Sequence, residues 1–247
     1  QIGRFDILVD DDTNSIIEFD WQLVPICADN IEPDRDLENF INTFKDVVDS
    51  KYSSIICKLA AQVTHPSRLV ETSLGNLFAD AMAEWGEMDV MLLGSGSVRS
   101  ESFGPVVTLG DFMSCFPYTD ELTRFTVSGE RLWHIFNHWM RPENRDGEGE
   151  CYQVNAGIRA AYSESKQQLL SLWVDGKPVD PNRLYTLGLQ GFHASNSQAN
   201  LDVTMDELQE AGRSRVVATS AQDLLLEYLR EHQNIREDLE GRLVYQP

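Results

Sequence analysis

The apolar run Val90-Met91-Leu92-Leu93 ends abruptly in Gly94-Ser95-Gly96-Ser97-Val98-Arg99. Such a run reads as a buried strand, and the alternating Gly and Ser after it as a turn. Glycines at 94 and 96 open backbone conformations closed to other residues and let a ligand come close to the main chain. Arg99 then offers a planar fork of donors suited to a carboxylate, a phosphate or the polar edge of a ring. A plain strand-to-loop turn with a solvated arginine would have the same sequence. The surroundings weigh on the choice.

Upstream, Glu71-Thr72-Ser73 places cap-type hydroxyls ahead of Leu74-Gly75-Asn76-Leu77-Phe78-Ala79-Asp80-Ala81-Met82, which reads as an amphipathic helix. Downstream come Phe112 to Tyr118, ending in Phe116-Pro117-Tyr118, and then Thr126-Val127-Ser128-Gly129-Glu130-Arg131-Leu132, a strand end turning into a helix over about 129–140. Further strands are expected near 105–109, 121–128, 152–162, 169–174 and 184–190, with a late helix over 221–231. Residues 141–150 and 191–201 read as irregular loops. At the other end of the chain, 3–10 and 15–26 alternate around a turn-type cluster at 10–14, as in a hairpin. Leu37, Phe40, Ile41, Phe44, Val47 and Val48 then recur at helical spacing. The whole pattern is that of an α/β chain of mixed α+β type.

Charge narrows the partners. Twenty Lys and Arg stand against 40 Asp and Glu, a formal charge of −20. That surface repels polynucleotides and anionic lipid, so neither is an expected partner. A single nucleotide stays open, because paired arginines act at contact distance. No run of eighteen apolar residues occurs, and no membrane span is expected. The four cysteines lie far apart without Cys-x-x-Cys spacing, which argues against a zinc knuckle or a disulfide scaffold. The compartment is not legible.

Taken in order, the helix with Gly75-Asn76-Leu77 and Asp80, the Gly-rich turn with Arg99, Phe116-Pro117, and Val127-Ser128-Gly129 resemble the C-terminal domain of the 5′-nucleotidase family. The resemblance runs from about Ser67 to Leu201 and more loosely to the C-terminus. It implies mixed sheets flanked by helices, preceded in the family by a metallophosphatase domain. Residues 1–28 would then be a hairpin remnant of that domain, 29–54 a linker helix, and 55–247 the substrate-binding domain. Limited proteolysis is expected to nick first between Ala28 and Pro33. Divalent metals would belong to the missing N-terminal domain, and no cofactor or catalytic residue is expected within this chain.

The same resemblance implies a base held between two aromatics. Phe192 matches one of them, whereas the other falls on Cys151, with Tyr152 beside it. Strand alternation would send Cys151 and Tyr152 to opposite faces. Arg68 and Arg99 match two arginines that hold the substrate's polar groups, and Gly96 belongs to the turn between them. Gly94 stands where many members have Asn, and Gln198 where an Asp usually meets the ribose hydroxyls. The expected function is the nucleotide- or nucleoside-recognising half of a metal-dependent phosphohydrolase. The alternative is a non-catalytic regulatory or interaction module with a degenerate site. A third reading, a zinc site on His134 and His138, lacks the Glu of a His-Glu-x-x-His motif and is crowded by Trp133, Phe136 and Trp139.

Overall fold

A computed structural model describes residues 1–27, 32–145 and 150–247 of the chain. The expected proteolytic site falls partly outside them, as does part of the 141–150 loop. The chain divides into two compact units, 1–51 and 52–247. In the first, Ile2–Asp10 and Ser15–Val24 form an antiparallel hairpin, and all but the last residue of the helix Arg35–Tyr52 belongs to the same unit. Asn14 takes the left-handed conformation in the hairpin turn, where Asn is tolerated better than most residues. Phe5, Ile7, Phe19 and Trp21 of the hairpin are exposed, as are Leu37, Phe40 and Phe44 of the helix.

The second unit is mixed α/β and is built around a five-stranded sheet. Its strands run Arg215–Ala218, Leu122–Ser128, Leu184–Gln190, Val90–Gly94, Tyr152–Val154 across the sheet. The central pair, Leu184–Gln190 and Val90–Gly94, is parallel, and every other pairing is antiparallel. Val90–Gly94 is apolar throughout because both its faces are covered. Met91 and Leu93 join one core with the helices Ser73–Gly86, Leu109–Cys115 and Ala221–Glu231. Val90 and Leu92 join the other, which holds the helix Gly129–Trp139 and a second sheet of four strands. In that sheet Leu243–Gln246 lies parallel to Ile158–Ser163, which pairs on its other side with Gln168–Val174.

This topology places the loops. Because the central pair is parallel, Gly94 and Gln190 finish at the same end of the sheet. The antiparallel neighbours begin there: Leu122 pairs with Gln190, and Tyr152 with Gly94. Four connections therefore emerge together. They carry Arg99, Tyr118 to Glu121, Glu150 and Phe192.

Residues 191–201, expected to be irregular, form two short helices, Gly191–Ser195 and Ser197–Leu201. The Asn and Ser residues of this stretch serve at their junction. Asn196 Nδ2 donates to Phe192 O at 2.8 Å, closing the first helix.

Candidate functional site

A pocket of about 530 Å³ opens where those connections meet. Of the residues singled out from sequence, it brings together Arg68, Gly96, Arg99 and Phe192. Phe192 is 60% exposed and Tyr118, which the sequence reading did not select, 39%. Their loops are tied to each other. Phe192 N donates to Asp120 Oδ2 at 3.0 Å, and Gly191 N to Glu121 O at 2.8 Å. Tyr118 in turn stands edge-on to buried Phe116, with centroids 6.3 Å apart. The pocket thus has two accessible aromatic rings on anchored backbone.

The Gly-rich turn is held from below by a buried amide. Gln153 Nε2 donates to Ser95 Oγ at 3.0 Å and to Val70 O at 2.8 Å, while its Oε1 accepts the Thr72 N–H at 3.0 Å. Thr72 caps the helix Ser73–Gly86 by accepting from Gly75 N, so one side chain links the turn to that helix's start. A Cβ on Gly75 would overlap Gln153. Ser95 N donates to Cys151 O at 2.7 Å, and Ser97 Oγ to Gln190 Oε1 at 3.0 Å.

Neither Gly94 nor Gly96 has the positive φ that would demand glycine. The reason for glycine here is room, which corrects the torsional expectation. A Cβ on Gly94 would overlap the His193 imidazole, and one on Gly96 would stand 3.3 Å from both carboxylate oxygens of Glu150. His193 is buried, with Nδ1 3.3 Å from the Tyr152 hydroxyl. Burial, opposed by nearby Asp120, lowers its pKa to about 4, so the ring is neutral near pH 7.

Cys151, Tyr152 and Gln198 do not line the pocket, and Gly94 meets it only through His193. Cys151 and Tyr152 are not sent to opposite environments, because the strand begins only at Tyr152. Both are buried in one core, where Tyr152 stands edge-on to Trp139 at 5.6 Å. Burial raises the Cys151 thiol to about 12, so it is an inert filler. Gln198 lies on the second short helix, its Nε2 3.5 Å from Asp202 Oδ1.

Two carboxylates enter the pocket unannounced by the motif. Glu150 Oε1 accepts the Gly96 N–H at 2.8 Å, and Asp120 lines the pocket from the Tyr118 loop. Burial raises the pKa of Glu150, opposed by the Gly96 amide and the positive charge of Arg68. The signal for Tyr118 was present in Phe116-Pro117-Tyr118, an aromatic after a proline at a helix end. Glu150 gave no signal, since its neighbours in space come from other loops.

Among the described residues, no group of three or more His, Cys, Asp and Glu is placed to hold a metal ion. His134 Nε2 lies 3.2 Å from Asp202 Oδ2, but an Arg141 guanidinium nitrogen is 3.1 Å from both ring nitrogens of His138. A fixed cation there opposes a divalent one.

Residues 55–204 match the family model described as 5′-nucleotidase, C-terminal domain. The chain belongs to that family. It is 25% identical over 199 residues to the endonuclease YhcR of Bacillus subtilis (strain 168), covering 80% of this chain and 16% of that protein. It is 22% identical over 207 residues to the snake venom 5′-nucleotidase of Naja atra, covering 74% and 38%. The crystal structure of the 5′-nucleotidase precursor from Thermus thermophilus superposes with a TM-score of 0.69 at 17% identity, covering 99% of this chain and 49% of that one. This last likeness is one of fold. The chain spans less than half of each of these relatives.

Proposed function

We propose that this chain recognises a nucleoside or nucleotide in the pocket between Arg68, Arg99, Tyr118 and Phe192, as the substrate-binding half of a metal-dependent 5′-nucleotidase-like phosphohydrolase. The observation that carries the reading is the meeting of two arginines and two accessible aromatic rings in one pocket of about 530 Å³. A base has two π faces and polar edges, and rings with guanidinium donors answer both. The hydrolytic metals would be held by a metallophosphatase domain outside these 247 residues. Residues 1–28 and 29–54 serve in this reading as that domain's last strands and its linker helix. Their exposed apolar side chains support it, since a lone hairpin needs a surface to pack on.

Each stacked face contributes roughly 1–3 kcal/mol, and a charged hydrogen bond about as much. After the entropy cost of association, the expected affinity is about millimolar to high micromolar. Titration calorimetry with adenosine and its monophosphate tests this. Arg99→Ala, Tyr118→Ala and Phe192→Ala should each weaken binding by about fivefold or more. Binding absent at several millimolar, or indifferent to all three substitutions, favours the regulatory module. The observation on that side is Gln198, which lies away from the pocket.

A further inference from the structure

The pocket has an aromatic pole and a polar one. At the polar pole, three charged side chains gather around the single residue Gly96. Glu150 Oε1 accepts its N–H at 2.8 Å, and Arg99 Nη1 donates to its carbonyl at 3.2 Å. Arg68 Nη1 and both Glu150 oxygens lie within 3.7 Å of where a Cβ on Gly96 would stand. The absent side chain therefore leaves the carboxylate lying over the backbone, beside a guanidinium.

A carboxylate at this spot repels a phosphate. It is acceptor-only, with about four lone-pair positions, of which the Gly96 amide uses one. It therefore calls for a neutral group with paired donors. The cis-diol of a ribose is such a group: its two hydroxyls donate to one carboxylate while their oxygens accept from an arginine. We propose that Glu150 is a specificity-determining residue that accepts both ribose hydroxyls, with Arg68 donating to the same oxygens, so that the pocket takes ribonucleosides over 2′-deoxyribonucleosides. The assignment rests on the nucleoside-binding reading and deepens it. Burial already raises the pKa of Glu150, and two further donors offset that cost when the sugar is bound.

The test is calorimetric titration of the 247-residue chain with adenosine, 2′-deoxyadenosine and 2′,3′-dideoxyadenosine. Adenine has no pair of adjacent N–H donors, one on the ring and one exocyclic, so discrimination among the three reports on the sugar. Adenosine should bind at least about tenfold more tightly than the deoxynucleoside, the scale of one hydrogen bond to a charged group. Glu150→Gln should bring that ratio to within about twofold. Equal affinities in the wild-type chain, a comparison needing no variant to fold, overturn the proposal. A ratio that persists in Glu150→Gln overturns the role of Glu150. Guanosine and 2′-deoxyguanosine binding alike, both weakened by Glu150→Gln, would assign the carboxylate to a base edge instead. No binding by any nucleoside is a different failure, that of the function proposed above.

Discussion

Two glycines carry more of this site than their size suggests. Gly75 faces Gln153, whose amide is bonded to Ser95, Val70 and Thr72, so the amide cannot swing aside without breaking those bonds. Gly94 faces His193, which is wedged against Tyr152 and edge-on to Phe192 at 5.3 Å. Alanine would favour the helix at position 75, yet overpacking a fixed neighbour costs about 1–3 kcal/mol and dominates. Gly75→Ala and Gly94→Ala are both expected to lower the urea midpoint. Gly94→Ala should also weaken nucleoside binding, because the displaced imidazole moves Phe192. A midpoint at or above wild type for either would show that the neighbour yields freely.

The element that closes the second unit is its last strand, Leu243–Gln246, and electrostatics holds it there. Arg242 is fully buried, donates in bidentate fashion to Asp80 at 2.8 and 2.9 Å, and reaches Glu237 at 2.9 Å. The Glu71 carboxylate accepts the N–H groups of Glu240 and Arg242 at 2.9 and 2.5 Å. Desolvation, and then repulsion from Asp80, raise the Glu237 carboxyl from 4.5 to about 7 despite Arg242. An acid raised in the folded state favours folding when protonated. Its contribution is full below pH 4.5 and is lost as pH rises to about 7. Wild-type stability should therefore gain on Glu237→Gln as pH falls from 7 to 4.5, read as the difference in denaturation midpoint between the two proteins. The difference removes the general relief of a charge of −20. A constant difference across that range would show that Glu237 is not raised.

For the whole molecule, recognition and hydrolysis are expected to separate. Two-metal hydrolysis needs clustered ligands and an activated water, and no group of three candidate ligands lies together among the described residues. The chain on its own should leave adenosine monophosphate intact over hours with added Mg²⁺, Mn²⁺ or Zn²⁺, as read by phosphate release. Turnover well above background, retained after His134→Ala and His138→Ala, would place a metal centre where none is expected.

The sequence by itself determined the mixed fold class, the three longer helices after Ile55 and the turn with Arg99, because periodicity, caps and Gly/Pro punctuation are local, whereas the one strand expected over 152–162 is two, Tyr152–Val154 and Ile158–Ser163, in different sheets. The ordered motifs were enough for the family. Gln153 and Asp80 serve the framework, bonded to Ser95 and Arg242. Only the tertiary structure decided the composition of the pocket. Tyr118, Asp120 and Glu150 join Arg99 and Phe192 because one parallel pair, flanked by antiparallel strands, brings four connections to the same end of a sheet. No window of sequence contains that pairing. Burial was decided there too: Cys151 and Tyr152 sit beside the motif in the chain, yet their side chains belong to the core.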